Sequence, residues 1–182
     1  MEHQGSKRIE TQRLILRPFT SEDAPAMYRN WASDPEVTKF LTWKPYESVK
    51  TADYILRQWA QQYEKPDFYQ WAVELKALGE PVGSLSVVRR DNDVASAELG
   101  YCLGRSWWGR GLMPEAVRAV IAYLIREVGM NRVAALHDVN NPNSGRVMQK
   151  AGMTKEGILR AAQRNNQGIC DVAVYSILAS EL

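Results

Sequence analysis

The stretch that decides the fold is Trp107-Trp108-Gly109-Arg110-Gly111-Leu112-Met113-Pro114-Glu115. Upstream, Ala97, Leu99, Tyr101 and Leu103 alternate with Glu98, Gly100 and Cys102, the two-residue period of a strand. Downstream, Val117, Val120, Ile121, Leu124, Ile125 and Val128 fall at i, i+3, i+4, i+7, i+8 and i+11, one face of a helix. Pro114 suits the first helical turn and Gly129 the helix end. Two glycines and an arginine therefore lie where a strand hands over to a helix N-terminus. The first amides there lack intrahelical partners, and the positive dipole end favours an anion, so a phosphate-bearing ligand is expected. The pair alone does not demand one. Gly-x-Gly also makes a plain tight turn, the third glycine of a dinucleotide loop is missing, and no Gly-Lys-Ser/Thr triplet follows.

Composition narrows the class. The 182 residues fit one domain, 1–182, with residues 1–8 expected to be flexible and His3 disordered. The net charge of +2 is the difference between 23 basic and 21 acidic residues, and no Lys/Arg block concentrates it, so no nucleic-acid patch is implied. No segment resembles a secretory signal, and none approaches the roughly 20 apolar residues of a membrane span. Cys102 and Cys170 lie in strand-like runs without CxxC spacing, which reads as free thiols in a reducing cytoplasm and no metal site.

Thr20 or Ser21 can cap a helix bearing Ala24, Met27, Tyr28 and Trp31, which ends at Asp34-Pro35. A second helix carries Ala52, Ile55, Leu56, Trp59 and Tyr63 on one face. Strands are expected at Tyr69–Leu75, Val82–Val88 and Arg132–Val139, with a short helix from Ser144 to Ala151 and two closing strands. The order β-α-α-β-β-β-α-β-α-β-β predicts an α/β (α+β) fold: a mixed, mostly antiparallel sheet of about seven strands with helices on both faces.

Ala97-Glu98-Leu99-Gly100-Tyr101-Cys102-Leu103 and the Trp107–Ala116 segment resemble the acyl-CoA-binding motif of the GNAT N-acetyltransferases, and within them the RimJ/RimL branch, which includes acetyltransferases of ribosomal-protein N-termini. Glu10–Pro18 is similar to that branch's opening strand, Asn141-Pro142-Asn143-Ser144 to its late Asn-x-x-Ser helix, and Glu156–Arg160 to the start of its last hairpin. The resemblance runs from about Ile9 to Leu178 in family order. It implies acetyl-CoA as donor, a primary amine as acceptor and no metal. Two places depart from the general motif, Trp108 and Met113, and Met148 stands where many members carry a proton-donating Tyr.

Direct acetyl transfer needs a neutral amine, a donor for the carbonyl oxygen and a proton for the leaving thiolate. The resemblance assigns the carbonyl donor to a backbone N–H in Tyr101-Cys102-Leu103, if that strand splays from its neighbour. Glu98, on the face opposite Tyr101, is the first candidate base, against a role as a salt-bridged strand residue. Glu115 reads as a helix-start carboxylate, and Asp138 and Asp171 as turn or ion-pair residues. For the acid, the Asn-x-x-Ser likeness points to Ser144, against helix capping, with Tyr101 as runner-up. The cofactor set is completed by Gly109, Arg110, Gly111, Leu112, Met113 and Asn141. Arg110 faces the pyrophosphate or is a plain surface arginine; Asn141 bonds the pantetheine arm or only makes the turn before Pro142. Trp43 and Tyr46 wall the acceptor pocket or are satellites of the core. His137 reads as a satisfied strand residue.

A protein N-terminus, a polyamine and another small amine such as an antibiotic remain competing acceptors. A sensor that binds acyl-CoA without turnover and a structural protein that kept only the fold are readings of other classes. The loop from Phe40 to Tyr46 has no acidic cluster, which favours a peptide-like or single amine over a polycation. A homodimer is compatible with the chain and is not specified by it.

Overall fold

The computed structural model describes residues 1–182. Its eight strands are β1 (Ile9–Glu10), β2 (Leu14–Arg17), β3 (Gln70–Leu75), β4 (Glu80–Asp91), β5 (Ser96–Leu103), β6 (Arg132–Asp138), β7 (Thr154–Asn165) and β8 (Gly168–Leu178). They form one sheet in the order β1-β2-β3-β4-β5-β6-β8-β7. Every neighbouring pair is antiparallel except β5 and β6. The eighth strand arises because the opening run turns back on itself at Thr11–Arg13, so that Ile9 and Glu10 pair with Leu16 and Ile15.

Alternate residues of the central strands enter two different cores. Trp71 and Val73 of β3, with Ala97, Leu99 and Leu103 of β5, pack beneath α4 (Leu112–Tyr123) and α5 (Pro142–Lys150). Ala72 and Cys102 point the other way, into a smaller core under α1 (Ala24–Met27) and α3 (Val49–Gln62). The short α2 (Pro35–Thr38) closes that side. Trp71 and Trp31 are fully buried, one in each core. An aromatic of this size removes roughly 150–250 Å² from water, about 4–6 kcal/mol by area, so these cores outweigh any single surface ion pair.

Residues 1–8 differ from the expectation of flexibility. Glu2 N–H donates to Val128 O (2.8 Å) and Gly5 N–H to Pro66 O (2.6 Å). Tyr123 donates its hydroxyl to Gly5 O (2.7 Å) and Trp71 its indole N–H to Lys7 O (2.8 Å). His3 meets the Tyr69 hydroxyl at 2.9 Å. Polar atoms on buried aromatics need partners, and the amino-terminal segment supplies them.

Register shifts in β7 aim one side chain across three strands. Glu156 is the unpaired residue between the pairs Lys155↔Tyr175 and Gly157↔Val174. Its carboxylate accepts from both Nη atoms of Arg132 on β6 (2.6 and 2.5 Å) and from Ser176 Oγ on β8 (2.8 Å). The Arg132 guanidinium, against a smaller opposing effect of burial, lowers the Glu156 carboxyl to about 2. A depressed carboxyl contributes stability above its ordinary pKa of 4.5 and loses it as pH falls through the folded value. Glu156 is 41% exposed, so the pair is screened and is worth about 1 kcal/mol. Glu156→Gln is therefore expected to destabilise the protein by about that amount at neutral pH in urea titrations, with the difference from wild type closing between pH 4.5 and 2. A gap that stays constant down to pH 2 would contradict this assignment.

Candidate active site

The parallel pair β5–β6 is hydrogen-bonded only from Ser96↔Arg132 to Leu99↔Ala135. β5 then continues to Leu103 beside β4, while β6 continues to Asp138 beside β8, so the two strands part. Gly104 N–H donates to Val82 O, which turns the backbone of Cys102 and Gly100 towards β4 by the alternation of an antiparallel ladder. Tyr101 and Leu103 consequently present their amides to the gap. Tyr101 N–H is the first such amide beyond the last paired residue.

The N-terminus of α4 lies over this gap. Gly109 and Gly111 adopt φ of +72° and +74°, a left-handed conformation that L side chains rarely hold. Among the hydrogen bonds of the fold, none uses the amides of Gly109, Arg110, Gly111, Leu112 or Met113. Five successive donors at a helix N-terminus form an anion cradle. The loop is held in place from across the chain. Glu115 accepts from Thr11 Oγ1 (2.6 Å), Arg13 N (2.9 Å) and Arg13 Nε (2.8 Å), and Arg13 Nη1 donates to Arg110 O (2.8 Å). Burial alone would raise the Glu115 carboxyl, but these bonds from Thr11 and Arg13 hold it below its usual range. The Arg110 side chain is exposed; its carbonyl is the part the fold uses.

On the opposite wall, Asn141 caps α5 through its backbone, and Ser144 occupies the third helical position. Ser144 is thus inside the first turn, which corrects the capping alternative. Tyr101 donates its hydroxyl to Ser144 O at 2.9 Å and lies 3.0 Å from Ser144 Oγ. The two candidate acids, far apart in sequence, meet. Burial pushes the Tyr101 hydroxyl well above its ordinary pKa, against a smaller lowering by Ser144, so it stays protonated. Met148 is buried in the core.

A cavity of about 480 Å³ occupies the gap. Its walls include Tyr101, Cys102, Leu103, Gly109, Gly111, Leu112, Met113, Asn141 and Ser144. Arg110 does not line it. Arg146 and Lys150 do, and so do Val37, Phe40 and Leu41 from the α2 side. The two cations went unnoticed in the sequence, although Asn143, Arg146, Val147 and Lys150 follow the i, i+3, i+4, i+7 spacing of one helix face. No carboxylate lines this cavity.

Glu98 stands at the apex, one residue before pairing stops, on the sheet face opposite Tyr101. Its carboxylate lies 3.8 Å from Arg89 Nη1. Asp138 accepts from Asn140 N and from Asn165 Nδ2, both at 2.8 Å, and serves the turn before α5, whereas Asp171 accepts from Ala161 N at 2.8 Å at the register shift in β7. Trp43 and Tyr46 pack together, ring centroids 5.1 Å apart and planes tilted by 44°, against the smaller core and outside the cavity wall. Burial, with a smaller effect from Cys102, pushes the Tyr46 hydroxyl up to about 12. His137 donates from Nδ1 to Asp138 O (2.7 Å), and its ring fills the space a Cβ at Gly145 would take.

A side chain at Gly111 would strain the loop by about 1–2 kcal/mol and block approach to its amides. Gly111→Val is expected to weaken coenzyme A binding at least tenfold, roughly 1.4 kcal/mol, with the fold retained. Unchanged affinity by calorimetry would remove the loop from the binding site.

Comparison with known proteins agrees with this geometry. The family described as "Acetyltransferase (GNAT) domain" matches residues 13–154. The uncharacterized N-acetyltransferase p20 of Bacillus licheniformis is 31% identical over 95% of this chain and 97% of that protein. The ribosomal protein uS5-alanine N-acetyltransferase of Escherichia coli K12 is 28% identical over 82% of this chain and 79% of its own length. RimL, an α-N-acetyltransferase of ribosomal protein L7/L12 solved with coenzyme A, superposes with a TM-score of 0.83 at 21% identity, covering 94% of this chain and 98% of that one. The open strand pair, the amide cradle and the family match lead to one conclusion: the chain belongs to the GNAT family and is an acetyl-CoA-dependent N-acetyltransferase.

Proposed function

We propose that the acceptor is the α-amino group of a peptide or protein, or another single amine, and not a polyamine. The observation that carries this reading is the segment from Phe40 to Tyr46, which brings Phe40 and Leu41 to the cleft and contains no carboxylate. A polycation would lose hydration against it without a counter-charge, which is costly. Arg146 and Lys150 of the cavity wall, with the amide cradle, suit the phosphates of coenzyme A. The uS5-alanine and L7/L12 acetyltransferases named above act on protein amines, which supports the same direction.

In this reading Tyr101 N–H polarises the thioester carbonyl as charge builds on its oxygen. Ser144, held by Tyr101, gives its O–H proton to the leaving thiolate and regains one from water. The amine approaches from the Glu98 face of β5, and Glu98 takes its proton through a water. Asn141, whose side chain makes no capping bond, is free to bond the pantetheine arm.

Because Tyr101 and Ser144 share a hydrogen bond, they should act as a unit. Tyr101→Phe and Ser144→Ala are each expected to lower kcat by about 10- to 100-fold, and the double variant by little more, with coenzyme A affinity kept. Multiplicative losses would separate the two residues and sink the shared role. Glu98→Gln should lower kcat by about 10² with coenzyme A affinity kept. A kcat near that of wild type would assign that proton to solvent. For the acceptor, kcat/KM for a short peptide with a free N-terminal alanine is expected to exceed that for spermidine. The reverse order would overturn the reading.

A further inference from the structure

The tip of the β7–β8 hairpin joins the two walls of the cleft through adjacent asparagines. Asn165 donates from Nδ2 to Asp138 Oδ2 at 2.8 Å. The other Asp138 carboxylate oxygen accepts from Asn140 N–H, in the turn that leads into Asn141 and Ser144. Asn166 reaches the other way. Its Nδ2 donates to Thr38 O (2.9 Å) and Trp43 O (2.8 Å), and its backbone N–H donates to Leu41 O (3.0 Å). Three carbonyls of one segment are thus bonded by one residue of a hairpin turn more than a hundred positions away. Phe40 and Leu41 of that segment line the cavity shared with Tyr101 and Ser144. Elsewhere in the segment from Phe40 to Pro45, Leu41 and Trp43 pack against the smaller core, and only Leu41 N–H, bonded to Thr38 O, is tied by a backbone bond of its own.

We infer that Asn166 is a positioning residue for acetyl transfer: it latches the Thr38–Trp43 segment over the cleft so that an amine, and not water, reaches the thioester. The inference rests on the transfer reading above and adds to it a determinant of acceptor binding. A side-chain amide supplies two donors aimed at two carbonyls, whereas a carboxylate supplies none and repels both. Opening a cover of this kind admits water and lets a reactive thioester hydrolyse.

The test compares wild type with Asn166→Asp and Asn166→Gln, the second keeping both amide donors. Hydrogen exchange reads the segment, acetyl-CoA hydrolysis without acceptor reads the leak, and calorimetry reads coenzyme A. In Asn166→Asp, exchange at residues 38–43 is expected to rise and hydrolysis to increase about threefold or more. KM for the alanine-initiated peptide should rise about tenfold while coenzyme A affinity stays within about twofold, and Asn166→Gln should recover part of each effect. Unchanged exchange overturns the latch. Raised exchange with unchanged hydrolysis and KM overturns its role in transfer, as does a loss of coenzyme A affinity equal to the loss of activity. If wild type leaves the peptide unacetylated, the acceptor reading fails, and exchange with hydrolysis still decide Asn166.

Discussion

The separation of β5 from β6 is the constraint on which the site depends. Four paired residues hold these parallel strands together, and each then follows a different antiparallel partner, β4 or β8. An amide left without its ladder partner inside a protein is costly unless something bonds to it. Here Tyr101 N–H faces an open cavity, so a ligand carbonyl can take the place that a strand would otherwise fill. The crossover between the two strands is α4, which brings a helix N-terminus to the same opening. One topological feature therefore brings an unpaired amide and a helix N-terminus to the same opening.

Long-range polar contacts keep that opening in shape. The glycine loop owes its position to Glu115 and Arg13, which join β2 to α4 by charge-assisted bonds. The exposed Arg29–Glu80 and Arg57–Asp53 pairs contribute less, because water and salt screen them. The cores set overall stability by burying Trp31, Trp71 and the apolar face of α4. The polar contacts decide where the loop and the cleft walls stand. Trp31 Nε1 is a buried donor with no partner within the apolar packing of the smaller core.

Local chemistry made much of this legible from residue order. Glycines at 109 and 111 signalled a turn before the helix, and the structure places both in the left-handed conformation that other residues resist. The periods of 2 and 3.6 located β5 and α4 because burial on one face imposes them. The same reasoning, extended to Asn143, Arg146, Val147 and Lys150, would have found the cationic wall. Arg110 is exposed and lies outside the cavity wall, since proximity in sequence to the loop says nothing about where a long side chain points.

Fold class and the placement of β5, the glycine turn and α4 followed from the chain alone, since each depends on neighbours within one or two turns. Contacts between distant segments did not. Tyr101 meets Ser144 across 43 positions, Arg13 meets Glu115 across 102, and Asn166 meets Thr38 across 128. Each arises where separately predictable elements are brought together by the sheet order, and no local period encodes that meeting. The ordering of residues 1–8 has the same origin. Nothing in Met1–Arg8 specifies a conformation; the buried hydroxyl of Tyr123 and indole N–H of Trp71 do so by requiring acceptors that only this segment reaches.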